Sequence, residues 1–268
     1  MHIRIEYQPV ALDYAVFLRV DGDCFPDEPA TDEGSFQTFL GQDFWAAWEG
    51  EALAGYCSAY SKPNLFWIRR IGVASSHRRQ GIGSDLMSQA MMRCRELGLR
   101  EAMLYVLDDN TAALRLYEEF DFERAETTYQ YIWESPMQSQ LTSEGPGPVV
   151  QALPVDEASE ANMPELPGQW ADFRSMHQPP GQYALLFYNE MGETIGYCRL
   201  SPGFPGCFPF SVKNPQKNLP GALRALKKYL RPDKDHLKLT LDEARLAEAC
   251  NALGLQLNYK LFRMVRSF

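Results

Sequence analysis

At 268 residues, 45% hydrophobic and 23% charged, the chain has room for two domains of ordinary globular composition, which excludes wholesale disorder. Its formal net charge of −9 excludes a general nucleic-acid binder, which needs a basic face, and argues against an anionic membrane surface as partner. That charge is local, because residues 1–51 hold eleven acids against two bases and account for all of it. The six cysteines are scattered with no Cys-x-x-Cys pair, and there are only four histidines. No disulfide framework and no metal site is therefore expected, and reduced thiols point to a cytoplasmic location. The first residues have no apolar signal core, and no run approaches the ~18 apolar residues that span a bilayer.

In chain order, residues 10–20 carry apolar positions at helical spacing, and the acidic, proline-containing stretch 21–34 breaks the pattern. A short helix is expected over 35–40. Phe44–Trp48 and Leu53–Tyr60 flank Glu49-Gly50-Glu51 and read as a hairpin. Leu65–Val73 reads as a strand, Gly83–Leu97 as an amphipathic helix ended by Gly98, and Glu101–Leu107 as a second strand. A helix over Thr111–Phe120 and a strand over Thr127–Trp133 follow. This alternation implies an α/β layer with a mixed sheet and some parallel pairing.

Residues 138–148 are polar and rich in Gly and Pro, as a linker is. The expected boundaries are a domain over 1–137, a linker over 138–150 and a second domain over 151–268. Within the second, a helical stretch is expected near 156–177, then a hairpin of Tyr183–Tyr188 and Thr194–Leu200. A strand Phe208–Val212, a helix Pro220–Leu230, a strand His236–Leu241, a helix Asp242–Leu253 and a strand Gln256–Val265 complete it. That order repeats the late order of the first half, as an internal duplication would.

The chemistry concentrates in two stretches. Ile71-Gly72-Val73 ends a strand that runs into Arg78-Arg79-Gln80-Gly81-Ile82-Gly83, and a helix starts at once. Glycines allow the tight turn, and the free N–H groups of the helix start favour an anion, a pyrophosphate above all. Arg78 and Arg79 add charge beside it, and Ser84 is placed to cap the helix or donate to a phosphate. After the next strand comes Asn110-Thr111-Ala112-Ala113, with Tyr117 one turn beyond Ala113 on the same helix face. Taken singly, the glycine turn reads equally as a plain strand-to-helix loop, Asn110 as a cap and Tyr117 as a core ring.

In this order and spacing the two stretches resemble the GNAT superfamily of acetyl-CoA-dependent N-acetyltransferases, over most of residues 1–135. The resemblance implies the GNAT acyl-CoA N-acyltransferase fold and acetyl-CoA as co-substrate. The backbone of Ile71, Gly72 and Val73 would pair with the pantetheine arm. The 79–84 loop (Arg79, Gln80, Gly81, Ile82, Gly83, Ser84) would hold the pyrophosphate with Arg78 at its rim. Asn110 and Ala113 would line the pantetheine or acceptor side, and Tyr117 would protonate the leaving thiolate. The Val73 N–H would polarise the thioester carbonyl. Direct attack by an amine needs positioning, a polarised carbonyl and a proton for sulfur, and no covalent enzyme intermediate.

Two features depart from the pattern. Asp121 stands where many relatives have Gly, in a turn Asp tolerates. The strand Leu65–Val73 has Arg69 and Arg70 where a general base is sought, which leaves Glu49, Glu51, Asp108 or water. From Phe208 onward the chain reads as a degenerate second copy, two GNAT-like domains in tandem. Asn214–Gly221 takes the place of the phosphate loop, Pro220 removes a donor, Glu243 stands for Asn110 and Cys250 for Tyr117. The tandem arrangement also resembles the mycothiol-synthase type, though no residue names that substrate. The expected reaction is acetyl transfer to a primary amine, on a small molecule or a peptide. The acidic first 51 residues would draw a cationic acceptor, or else serve solubility. The alternative is a non-catalytic CoA-binding or protein-interaction module that keeps the fold.

Overall fold

The computed structural model describes residues 3–10, 12–28, 30–134, 147–155, 182–201, 206–231 and 236–268. The chain packs as two compact units, Met1–Ala125 with Phe262–Phe268, and Glu126–Leu261. The expected linker residues 138–146 and the expected helical stretch 156–177 lie outside the described residues.

The first unit holds β1 (Ile3–Tyr7), α1 (Tyr14–Cys24), α2 (Glu33–Leu40), β2 (Asp43–Glu49), β3 (Ala52–Lys62), β4 (Leu65–Val73), α3 (Ile82–Glu96), β5 (Glu101–Leu107) and α4 (Thr111–Glu119). Strands β1 to β4 pair antiparallel in sequence order, and β5 joins β4 in parallel after the α3 crossover. One sheet face is closed by α3. Its Ile82, Leu86, Met87, Ala90, Met91 and Cys94 pack with Phe66, Ile68, Leu104 and Val106 from the strands. The opposite face is closed by α1 and α2 through Phe17, Phe36, Phe44 and Tyr56, with Phe17 and Phe36 stacked at 4.7 Å. Burying rings of this size contributes about 1.5–3 kcal/mol each, so an aromatic cluster suffices to seat two short helices.

Helix α1 corrects the expected break at residue 21. Asp13 caps its start by accepting from the Ala15 N–H at 2.8 Å, and the helix runs on to Cys24. The acidic residue that looked like a breaker, Asp21, is buried, and it accepts from Tyr56 Oη, from Arg70 Nε at 2.6 Å and from Thr31 Oγ1 at 2.7 Å. Pairing on other elements overrides its weak helix propensity. Asp32 caps α2 by accepting from the Ser35 N–H at 2.9 Å, so that helix starts two residues before the expected 35.

The second unit holds β7 (Gln151–Pro154), β8 (Tyr183–Tyr188), β9 (Thr194–Ser201), β10 (Gly206–Val212), α5 (Pro215–Leu226), β11 (His236–Leu241), α6 (Ala244–Ala252) and most of β6 (Glu123–Glu134). Strands β7 to β10 are antiparallel in order, and β11 joins β10 in parallel after α5. This is the β1–β5 plan again. Strand β12 (Gln256–Ser267) ends the chain, and its residues from Phe262 onward belong to the first unit. There Met264 is buried, and Arg266 bonds the Phe120 carbonyl at 2.8 Å and the Asp121 carboxylate at 3.3 Å.

The short strand β7 falls on residues for which no element was expected. Two expectations for the helix that follows β10 need correction. Residues 215–221 are not a loop but the first two turns of α5, with Pro215 at its start and Pro220 inside it. Proline at a helix's first position loses nothing, because that N–H has no helical partner. Helix α5 then ends at Leu226, and Lys227–Tyr229 continue as a 3-10 turn rather than α-helix to 230.

The duplication has a sharper register than the late elements alone suggest. Gly55-Tyr56-Cys57 in β3 recurs as Gly196-Tyr197-Cys198 in β9. Both glycines do the same work. A Cβ on Gly55 would stand 2.7 Å from the Gly72 carbonyl oxygen, and one on Gly196 would clash with that of Ser211. In each unit, one strand crosses the next at a distance only glycine permits.

Candidate active site

The opening that forms the site begins with a bulge. Strand β3 pairs Ser58 with Arg70 but Ala59 with Ile68, so Arg69 is an extra residue in β4. A bulge bends its strand. Strand β4 pairs with β5 only at Leu65–Glu101, Phe66–Ala102 and Trp67–Met103. Beyond Trp67 the two parallel strands part, and β4 runs on to Val73 with one edge open.

The peptide groups on that edge follow from the ladder. The Ala74 N–H donates to the Ala54 carbonyl at 2.9 Å, and antiparallel pairs alternate between bonded and non-bonded. Gly72 opposite Tyr56 is then a bonded pair, whereas Ile71 opposite Cys57 and Val73 opposite Gly55 are not. The N–H and C=O groups of Ile71 and Val73 therefore point away from β3, into the opening. The Val73 carbonyl accepts from Arg78 Nε at 3.1 Å. Gly72 lets α1 lie against the strand, since a Cβ there would meet Cys24 Sγ at 2.7 Å.

A 3-10 turn, Ser75–His77, leads from the opening to the start of α3. Left-handed backbone falls at Arg79 (φ 61°) and at Gly81 (φ 82°), the N-cap of α3. No side chain caps that helix, so Ser84 is not its cap. The N–H groups of Ile82, Gly83 and Ser84 are left as the donors a helix start presents to an anion. Gly83 serves packing, because a Cβ there would lie 3.3 Å from Leu116 of α4. Arg78 also reaches the Asp23 carbonyl at 3.4 Å, which ties the end of α1 to this loop.

Asn110 is the N-cap of α4 and accepts from the Ala113 N–H at 3.1 Å. Tyr117 is buried in the same apolar cluster as Cys57, Ile82 and the half-buried Ile71 and Val73. No hydrogen-bond partner for its hydroxyl occurs among the described residues. Burial, with the nearby Cys57 thiol, holds its phenol well above the usual tyrosine range, so it keeps its proton at neutral pH. The turn after α4 survives the Gly-to-Asp departure, with Asp121 at φ 59°.

Of the carboxylates considered for a base, Glu49 bonds His77 Nε2 at 3.1 Å, Glu51 sits in the β2–β3 turn, and Asp108 follows the last residue of β5. Two groups escaped the sequence reading. His77, whose Nδ1 meets Ser76 Oγ at 2.8 Å, gives no signal as a lone histidine. The Asp21–Tyr56–Arg70 network joins residues too far apart in sequence to suggest one another. Among the described residues no group of three or more His, Cys, Asp or Glu is placed to hold a metal ion, and no helix is long and apolar enough to cross a membrane.

A mixed sheet split between two parallel strands, with an open helix start beside the split, defines the GNAT N-acyltransferase fold. Residues 14–122 match the profile of the acetyltransferase (GNAT) family. The chain is similar to a mycothiol acetyltransferase of Corynebacterium glutamicum, 34% identical over 85 residues, 31% of this chain and 29% of that protein. A mycothiol acetyltransferase of Geodermatophilus obscurus is 33% identical over 90 residues, covering 30% and 29%. The matched segment thus spans about three tenths of these relatives. In structure, a GCN5-related N-acetyltransferase from Sphaerobacter thermophilus superposes with a TM-score of 0.71 at 16% identity, over 99% of this chain and 95% of that one. A tandem GNAT protein from the clavulanic acid biosynthesis pathway gives 0.68 at 13% identity, over 99% and 98%. At these identities the likeness establishes the fold.

Proposed function

We propose that the protein is a cytoplasmic N-acetyltransferase that moves the acetyl group of acetyl-CoA to a primary amine, with its working site in the first unit. The open edge of β4 carries the reading, since the Ile71 N–H and C=O and the Val73 N–H face away from β3, where the pantetheine amides could pair with them. The helix start at Ile82–Ser84, with Gln80 and Arg79 before it and Arg78 at its rim, would take the pyrophosphate. Asn110 and Ala113 would border the arm. The amine nitrogen attacks the thioester carbonyl, whose oxygen is polarised by the Val73 N–H. The C–S bond breaks, Tyr117 gives its proton to the departing sulfur, and the ammonium proton leaves to a nearby carboxylate or water.

The test is release of free CoA thiol from acetyl-CoA over a panel of amines, with thermal unfolding in parallel. Acetyl-CoA should raise the unfolding temperature, because a ligand bound only by the folded state stabilises it. Thiol release should then depend on the amine. Stabilisation without release across small amines and peptides would favour the alternative, a binding module that keeps the fold. Absence of stabilisation would remove the coenzyme assignment.

A further inference from the structure

We infer that the amine accepted by this site also carries a carboxylate, and that Arg69 recognises it; this rests on the transferase reading above. The bulge makes the arrangement possible. Phe66 and Ile68 of β4 point into the α3 core. Strict alternation would send Arg70 to that side too, but the extra residue leaves Arg69 and Arg70 both on the α1–α2 face. Arg70 is neutralised there by Asp21 and Glu28, each at 2.6 Å.

Arg69 has no such partner. Its Nη2 donates to Gln42 Oε1 at 3.0 Å, and its guanidinium lies 4.6 Å from the Tyr60 ring centre and 5.0 Å from that of Phe39. Among the described residues no carboxylate forms an ion pair with it, although the side chain is half-buried. A cation partly withdrawn from water without a counter-ion is unfavourable, and a guanidinium held against rings is preorganised for a carboxylate. The position suits an acceptor. Trp67 and Tyr105 meet at 5.8 Å across the point where β4 and β5 part, and Arg69 stands just beyond it. Val73, whose N–H would polarise the thioester carbonyl, is four residues further, about 13 Å along a strand. An amine at the thioester and a carboxylate at Arg69 are therefore several bonds apart in one molecule.

The experiment measures thiol release by the full chain with a homologous series of ω-amino acids, their matched carboxamides and a phosphate-bearing alkylamine. The carboxylates should exceed their carboxamides about tenfold in kcat/KM, the equivalent of about 1.4 kcal/mol. Arg69→Gln should erase that advantage through KM, leaving the carboxamides and the KM for acetyl-CoA unchanged, and Arg69→Lys should restore part of it. Equal rates for acid and amide, or a loss of both in Arg69→Gln, would reduce Arg69 to a brace between β4 and α2. Preference for the phosphate-bearing amine would overturn the carboxylate. Failure of acetyl-CoA to bind, or to react with any amine, would overturn the transferase reading itself, which separates the two failures.

Discussion

Tyr117 is only 6% exposed, and burial keeps its phenol protonated, so the proposed proton donor sits in an apolar pocket rather than in a hydrogen-bonded network. A donor of that kind acts on a charge that develops only when the C–S bond breaks. Tyr117→Phe should therefore lower kcat by about 10²-fold and leave acetyl-CoA affinity within twofold, a split measured by steady-state kinetics and calorimetry. Equal losses in both would take Tyr117 out of the acid role. Single residues also explain the acidic first 51 positions. Asp13 and Asp32 cap helices, Asp21 and Glu28 pair with Arg70, Asp23 accepts from the Ser75 N–H, and Asp43 pairs with Arg93. The charge that read as a steering field for a cation is largely engaged in local structure. The acids were legible in sequence, but their partners were not, because Arg70 lies 49 residues from Asp21.

At the scale of elements, what was legible followed periodicity and turn chemistry. The hairpin β2–β3, strands β4 and β5, and helices α3 and α4 fall where apolar spacing and the glycines at 50, 81 and 98 place them, and each of those glycines has positive φ. The bulge was missed although it leaves a trace, since the apolar positions Phe66 and Ile68 resume at Ile71 and Val73, one residue out of phase across Arg69-Arg70; pairing with β3 fixes the extra residue. The extension of α1 through Asp21 was not legible, because it depends on Arg70 and Tyr56. The start of α3 gives the sharpest test at this scale. A Cβ on Gly81 would meet nothing within 4 Å, so Gly81→Val is opposed by backbone conformation alone. At φ 82° that costs about 1–2 kcal/mol, and relief of the strain would turn the Ile82–Ser84 donors. Calorimetry should show at least tenfold weaker acetyl-CoA binding. Gly83→Ala, whose Cβ meets the flexible end of Leu116 at 3.3 Å and the Val73 methyl at an ordinary 3.8 Å, should bind nearly normally. If both variants bind alike, the helix start is not the phosphate site.

The two units follow one strand plan, with a different connection at the loop proposed to take the pyrophosphate. In the first unit the stretch from the end of β4 to the start of α3 is Ala74–Gly81; in the second, only Lys213 and Asn214 separate β10 from α5. The two junctions are otherwise alike. Lys213 donates to the Ile195 carbonyl as Ala74 does to that of Ala54, and Asn214 before α5 is left-handed at φ 48° as Gly81 is before α3. Strand β10 also parts from β11 after two pairs, Gly206–Lys238 and Cys207–Leu239. What the second unit lacks is the arginine-bearing loop. In addition, Pro215 offers no N–H at the first helical position, and Cys250 supplies a buried thiol where Tyr117 supplies a phenol. A split sheet without a phosphate cradle should not hold a coenzyme whose pyrophosphate dominates its charge. Titration of the full chain with acetyl-CoA should therefore give one equivalent per chain, and Gly81→Val should weaken that single event without exposing another. A second saturating equivalent, unaffected by Gly81→Val and weakened by Lys217→Ala, would show that the shortened junction at α5 still binds coenzyme.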